Sequence, residues 1–376
     1  MPAPPALYDM ILQWLQAMAC APHRTACRAL ATQVTAVLIG QSLQPADRMR
    51  ALLSAATVPA RQRYLRAARA LGRPSLSPQR LTPLLVRAVL ALMGPSRQKE
   101  TLLAMDSVRC GPWEIFTLGV VWHSRVLPVG WAVLPYPWPK GRFTPTVCSL
   151  VRQVAQAWPP DHGVHLVADR GFPSIPLFHT LQAVGWCWTV RLQARSWVSV
   201  EGQGQFVRNL LVQAEAGTYR RYVGSYGSGR KAISGHLVVG YPKRRVPRHQ
   251  RNPSSRRARE FQHVRRLQHI ATKHPGRSDA SVETYGWMVL FTSLSCHLSA
   301  LAAYRRRWSV EGSYRDAQGG WDGRHGWNME PAVARLPAPE AVAGLVGLWA
   351  LSALIQMWVG EQVVHGPVPV RVVTHQ

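Results

Sequence analysis

Three carboxylates stand at positions that call for an explanation. Asp106 lies inside the apolar run LLAMDSV, in what reads as the middle of a strand. An ionised group there is unfavourable unless it is paired or bound to metal. Asp169 closes a second apolar run in HLVADRGFPS, just before the turn residues Gly171 and Pro173. Glu311 sits at the centre of the basic stretch Tyr304–Gln318, YRRRWSVEGSYRDAQ. As one helix, that stretch puts Tyr304, Arg307, Glu311, Arg315 and Gln318 on one face, an acid framed by a ring, two guanidiniums and an amide. If the strands of Asp106 and Asp169 are neighbours, each carboxylate raises the other's pKa unless a cation lies between them. Hard oxygen donors without His or Cys suit Mg²⁺ or Mn²⁺. With Glu311 added, three acids can hold two ions about 4 Å apart, the arrangement for in-line attack on a phosphodiester. Each acid alone has an ordinary explanation, since an Asp beside an Arg, as in Asp169-Arg170, is a common surface pair. The weight lies in the combination, because the chain has only 18 Asp and Glu.

These acids need elements to hold them. Residues 1–95 read as helices over 7–19, 26–39, 45–55, 59–71 and 79–93, with apolar residues at threes and fours between Pro, Gly and Ser punctuation. Arg48, Arg50, Arg61, Arg63, Arg66, Arg69 and Arg73 are expected to give this module basic surfaces suited to DNA. From residue 96 to 194 the pattern changes. Three strands are predicted over 102–108, 115–123 and 126–134, then a helix over 145–158, a strand over 164–168, a helix over 175–184 and a strand over 186–192. This describes a mixed α/β sheet. Residues 195–285 read as a β-rich insertion. Its segment Lys243–Arg266 carries ten bases and one acid, and phosphate contact by Lys243, Arg244, Arg245, Arg256 and Arg257 is the favoured reading over a solvated charge run. Residues 286–360 resume the core with a strand over 287–292, the Glu311 helix and a closing helix, and 361–376 form a tail.

The composition points to the same class of partner. The 376 residues hold 45 Lys and Arg, a formal net charge of +27, which implies a polyanion, nucleic acid above all. A hydrophobic content of 47% supports a sizeable core. Six cysteines without a C-x-x-C pair indicate neither a disulfide framework nor a standard zinc site, even with His23 between Cys20 and Cys27. Asp9 stands where a signal peptide carries positive charge, so a cytoplasmic setting is expected. The nineteen uncharged residues 341–359 meet the length of a membrane span, yet their Ala, Gly, Ser352 and Gln356 favour a buried helix, and no membrane partner is expected.

Taken together, these motifs resemble the bacterial insertion-sequence transposases of the DDE superfamily. The similarity is to the subgroup with a Y-x2-R-x3-E-x6-K signature and an RNase H-like catalytic core. Tyr304, Arg307 and Glu311 match the signature at its spacing, while Gln318 stands in place of Lys. AMDSV resembles the first-acid strand and ADRGFPS the second-acid motif, over roughly residues 100–330. The resemblance implies Asp106, Asp169 and Glu311 as a catalytic triad for two Mg²⁺ or Mn²⁺ ions. It implies cleavage at transposon ends and strand transfer into target DNA by a homodimer near the bacterial nucleoid. Tyr304, Arg307, Arg315, Gln318 and Arg170 are expected on DNA, with Trp197 or Tyr226 stacking on a flipped base. Arg315 is expected to take over the phosphate contact of the missing Lys. The alternatives are an RNase H-like nuclease without strand transfer and a non-catalytic protein that binds transposon ends.

Overall fold

The computed structural model describes residues 4–18, 23–51, 59–94, 100–212, 218–240, 288–318 and 327–365. They fall into two compact units, Met1–Gly163 with Arg307–Gln376, and Val164–Arg306. The architecture is mixed α/β, helices first and then strands interleaved with helices, consistent with an RNase H-like core. The phosphate-contact candidates Lys243, Arg244, Arg245, Arg256 and Arg257 lie outside the described residues, as does Cys20.

The first unit opens with helices α1 (Pro4–Ala17), α2 (Arg24–Gly40), α3 (Pro45–Ala51), α4 (Ala60–Leu71) and α5 (Pro78–Met93). Each forms where apolar residues recur at threes and fours. In α2, for example, Cys27, Leu30, Ala31, Val34 and Leu38 make the buried stripe. One base of the expected basic surface is not there: Arg48 is fully buried and donates to Gln33 Oε1 at 2.8 Å. Arg48 lies on short helix α3, and Gln33 of α2 holds one end of its guanidinium. Arg50 on the same helix is exposed and pairs with Asp47 at 3.1 Å.

Next come three antiparallel strands, β1 (Glu100–Cys110), β2 (Trp113–Trp122) and β3 (Arg125–Pro135), in the order β3-β2-β1. Central β2, WEIFTLGVVW, is buried along its whole length and is apolar apart from Glu114 and Thr117. Helix α6 (Phe143–Ala157) follows. The second unit holds β4 (Gly163–Ala168), α7 (Ile175–Ala183), β5 (Cys187–Arg191), β6 (Trp197–Val200), β7 (Gln203–Phe206), α8 (Val207–Val212), β8 (Tyr219–Tyr226), β9 (Ile233–Gly240), β10 (Met288–Thr292) and α9 (His297–Arg306). Its strands lie in the order β4-β5-β10-β9-β8-β6-β7, with β4 and β5 parallel and the remaining pairs antiparallel. The five strands after β5 and before α9 include the β-rich segment expected from residue 195 onward.

The chain then returns to the first unit through α10 (Ser309–Gln318), α11 (Met329–Val333) and α12 (Pro339–His365). The stretch expected as one helix over Tyr304–Gln318 is two: α9 ends at Arg306 and α10 begins at Ser309, with Arg307 and Trp308 in the turn between. The break places Glu311 in the first turn of α10, where a carboxylate is favoured by the free N–H groups and the positive end of the helix dipole.

Helix α12 is long and apolar enough to cross a membrane, with mean hydropathy 1.8 over Pro339–Glu361, and 67% of that apolar window is buried inside the protein. Val342, Leu345, Val346, Leu348, Leu351 and Leu354 are buried. Trp131 Nε1 on β3 donates to Ala343 O at 2.8 Å. A Cβ added at Gly344 would sit on the carbonyl oxygen of Leu71 at the end of α4, so glycine permits this close approach. A helix apolar all round is what a core position requires.

Candidate active site

Asp106 stands in the middle of β1, opposite Thr117 of β2. Its Oδ1 accepts from Ser107 N at 2.9 Å, and Ser107 Oγ donates to Glu114 Oε1 at 2.6 Å. Glu311 lies two residues into α10, which docks by its stripe Val310, Ser313, Tyr314 and Ala317. Ser313 Oγ accepts from Val126 N of β3 at 2.6 Å. The Tyr314 hydroxyl donates to Asp106 O at 3.2 Å and shares a 2.5 Å hydrogen bond with Thr117 Oγ1. Burial, with Asp106 nearby, pushes the Tyr314 phenol well above its ordinary pKa, so it stays a neutral donor.

Between these two acids lies Arg307. Its NH1 is 3.1 Å from Asp106 Oδ2 and its NH2 is 3.1 Å from Glu311 Oε1, with the side chain 5% exposed. Arg307, the expected DNA contact, is buried in the protein without DNA, and its guanidinium spans two carboxylates. Two acids already arranged on one cation form a donor set that also suits a hard divalent ion. Among the described residues, no three His, Cys, Asp or Glu side chains stand close enough together to hold a metal by themselves.

In the second unit Asp169 follows β4 directly, and its side chain is 29% exposed. Tyr304 Oη donates to Asp169 Oδ1 at 3.0 Å, and Arg191 NH1 lies 4.0 Å from the same oxygen. The Tyr304 ring is buried with Val238, Leu290, Ala300 and Leu301, which leaves the hydroxyl as its working end. The neighbouring Arg170, Trp197 and Tyr226 come together around a cavity of about 420 Å³, whose lining also includes Gln193 and Arg195. Gln193 Nε2 donates to Arg170 O at 2.7 Å, and Arg195 Nε donates to Gln193 Oε1 at 2.7 Å. Trp197 is 39% exposed and meets Phe206 edge-on at 4.9 Å. A Cβ at Gly204 would come within 2.7 Å of the Trp197 ring, so the glycine leaves the indole its place. Tyr226 is anchored, its hydroxyl donating to Pro173 O at 3.2 Å and its ring packed on Phe178.

Gln193 and Arg195 were missed by sequence reasoning. The signal available was a base and an amide in LQARSW, one turn ahead of an indole. Trp308 was also missed: it is 61% exposed in the turn beside Arg307. The last two members of the expected face diverge. Arg315 is exposed, whereas the half-buried Gln318 amide stands beside the Cys110 thiol. Burial and the nearby Glu330 and Glu114 push the Cys110 thiol up to about 12.

Residues 144–326, just under half of the chain, match the family described as transposase DDE domain. The matched segment contains Asp169, Tyr304, Arg307 and Glu311, while Asp106 precedes it. A DDE domain implies a catalytic transposase, with DNA as its partner and divalent metal as its general requirement. No curated protein matches the sequence.

Proposed function

We propose that the protein is a metal-dependent DNA transposase of the bacterial insertion-sequence type, in the subgroup with the Y-x2-R-x3-E-x6-K signature. In this reading Asp106, Asp169 and Glu311 are the catalytic acids, and a homodimer works on paired transposon ends in the cytoplasm. The observation that carries the reading is the pairing of signature residues with acids. Tyr304 donates to Asp169, and Arg307 donates to both Asp106 and Glu311. A spacing matched in sequence is thus matched by contacts to all three acids.

The carboxylates of Asp106, Asp169 and Glu311 would hold one or two Mg²⁺ or Mn²⁺ ions. Bound there, the ions supply Lewis-acid stabilisation of the phosphoryl oxygens and a more acidic water or hydroxyl nucleophile. The chain's own groups orient the acids: Tyr314 and Ser107 fix Asp106, Tyr304 fixes Asp169, and the first turn of α10 presents Glu311. In hydrolysis a water oxygen bonds to phosphorus and the P–O3′ bond breaks. In strand transfer the freed 3′-hydroxyl oxygen bonds to a target phosphorus, and the target's own 3′-hydroxyl leaves. Trp197, over a cavity with Arg170 and Arg195 at its edge, is the side chain suited to stack on an extruded base.

The test is incubation of the purified protein with end-containing DNA and Mg²⁺, beside Asp106→Asn, Asp169→Asn and Glu311→Gln. Metal-dependent nicking and joining are expected, each variant losing at least about 100-fold in rate while still binding DNA. Nicking without joining would establish a nuclease, and binding without nicking a non-catalytic end-binding protein.

A further inference from the structure

Arg307 carries one positive charge against the two negative charges of Asp106 and Glu311, each carboxylate on a different terminal nitrogen at 3.1 Å. The carboxylates differ in freedom. Asp106 is held on β1 and its side chain is 18% exposed, whereas Glu311 is 41% exposed. One guanidinium and two carboxylates leave a net charge of minus one, so the cluster still attracts a cation.

We propose that Arg307 is a placeholder cation. In the metal-free protein it keeps Asp106 and Glu311 converged on one guanidinium, and it is handed to a DNA phosphate when a divalent ion takes its position. The proposal rests on the assignment of Asp106 and Glu311 as metal ligands. It gives Arg307 a positioning role distinct from a simple DNA contact.

Releasing a buried guanidinium without a new anion is unfavourable, so an ion entering alone must displace a well-paired charge. A phosphate, though tetrahedral, offers two oxygens to the guanidinium fork as a carboxylate does, and resolves the conflict. Arg307 sits in the two-residue turn between α9 and α10, its carbonyl accepting from Val310 N at 2.9 Å, so the exchange is a swing of the side chain about a fixed backbone. The adjoining Trp308 is 61% exposed, so this turn opens to solvent and to an incoming strand. Metal binding and DNA binding then favour each other, by the same factor in both directions.

The experiment measures Mn²⁺ binding by electron paramagnetic resonance on the full chain, with and without a short 5′-phosphorylated duplex. The proteins are the wild type, Arg307→Gln, Arg307→Lys and Asp106→Asn. The duplex is expected to tighten Mn²⁺ binding by the wild type about 10-fold. Arg307→Gln is expected to bind Mn²⁺ about 10-fold more tightly than wild type without DNA, and to respond to the duplex by less than about twofold. Arg307→Gln binding no more tightly than wild type, or keeping the full response to the duplex, overturns the placeholder. Should circular dichroism show Arg307→Gln unfolded, Arg307→Lys decides. Its single nitrogen cannot span both acids, so Mn²⁺ binding without DNA should tighten about threefold or more, and unchanged binding overturns the proposal. Asp106→Asn should abolish Mn²⁺ binding throughout; if it does not, the metal assignment itself is wrong, a failure separate from that of the placeholder.

Discussion

The Tyr314 hydroxyl reaches the main-chain carbonyl of Asp106 at 3.2 Å, three residues beyond Glu311 on the same helix. That one side chain ties the element carrying one acid to the strand carrying another. Its ring stacks on Trp349 of α12 at 6.3 Å, so the tie is anchored from behind as well.

Tyr314→Phe keeps the ring packing and removes the hydroxyl. It leaves Thr117 Oγ1 and the Asp106 carbonyl without that partner, and should lower stability by about 1–3 kcal/mol in urea unfolding. End cleavage should fall further than stability explains, because a displaced carboxylate is costly to catalysis. Wild-type cleavage in a folded Tyr314→Phe protein would show that the tie does not position the site.

Trp197→Ala should weaken binding of transposon-end DNA by about 1–3 kcal/mol, the usual worth of a base stacked on an aromatic ring. Trp197→Phe should recover part of it. A 2-aminopurine placed near the cleaved end reports the base directly. Its fluorescence should change on binding wild type and change less with Trp197→Ala; equal responses would remove Trp197 from the proposed role.

The departure at Gln318 has a structural counterpart. Its amide stands beside Cys110, a thiol that also feels Glu330 and Glu114, while Arg315 faces solvent. Arg315→Ala should reduce end cleavage and lower the salt dependence of DNA binding by about one phosphate contact. Gln318→Lys should gain little, since the new ammonium would meet those acids first. Near-normal cleavage in Arg315→Ala with a large gain in Gln318→Lys would reverse the assignment.

His165 on β4 is buried, and desolvation holds its pKa down at about 4 against an ordinary 6.5. Its Nε2 and Thr189 Oγ1 are 2.9 Å apart in a chain that continues to Thr292. Between those two values the unfolded chain binds the proton and the folded one does not. Stability is therefore full above about pH 6.5 and declines as pH falls toward 4, by up to about 3 kcal/mol for this group. His165→Gln should flatten that part of the stability profile measured by urea unfolding; an unchanged slope would mean that the imidazole is not the group responsible.

Much of the fold was legible in advance, because helix period, strand alternation and turn residues are local properties. The three strands around Asp106 run over Glu100–Cys110, Trp113–Trp122 and Arg125–Pro135, close to their expected bounds. The same local reading went astray at Arg307. Nothing in the period of YRRRWSVEG announces a break, since the gain in burying Arg307 comes from Asp106, 201 residues away. Arg48 misled for the same reason: a base in a basic segment reads as surface until Gln33 is placed against it.

The sequence by itself determined the order of elements, the places of Asp106, Asp169 and Glu311 at strand and helix positions, and the positive charge that calls for a polyanion. The tertiary structure alone decided that Tyr304 serves Asp169, that Arg307 bridges Asp106 and Glu311, and that Trp197 and Tyr226 share one cavity with Arg170. Each of these involves residues far apart in the chain, brought together by packing and by the need to pair buried charge, and none is written in local periodicity.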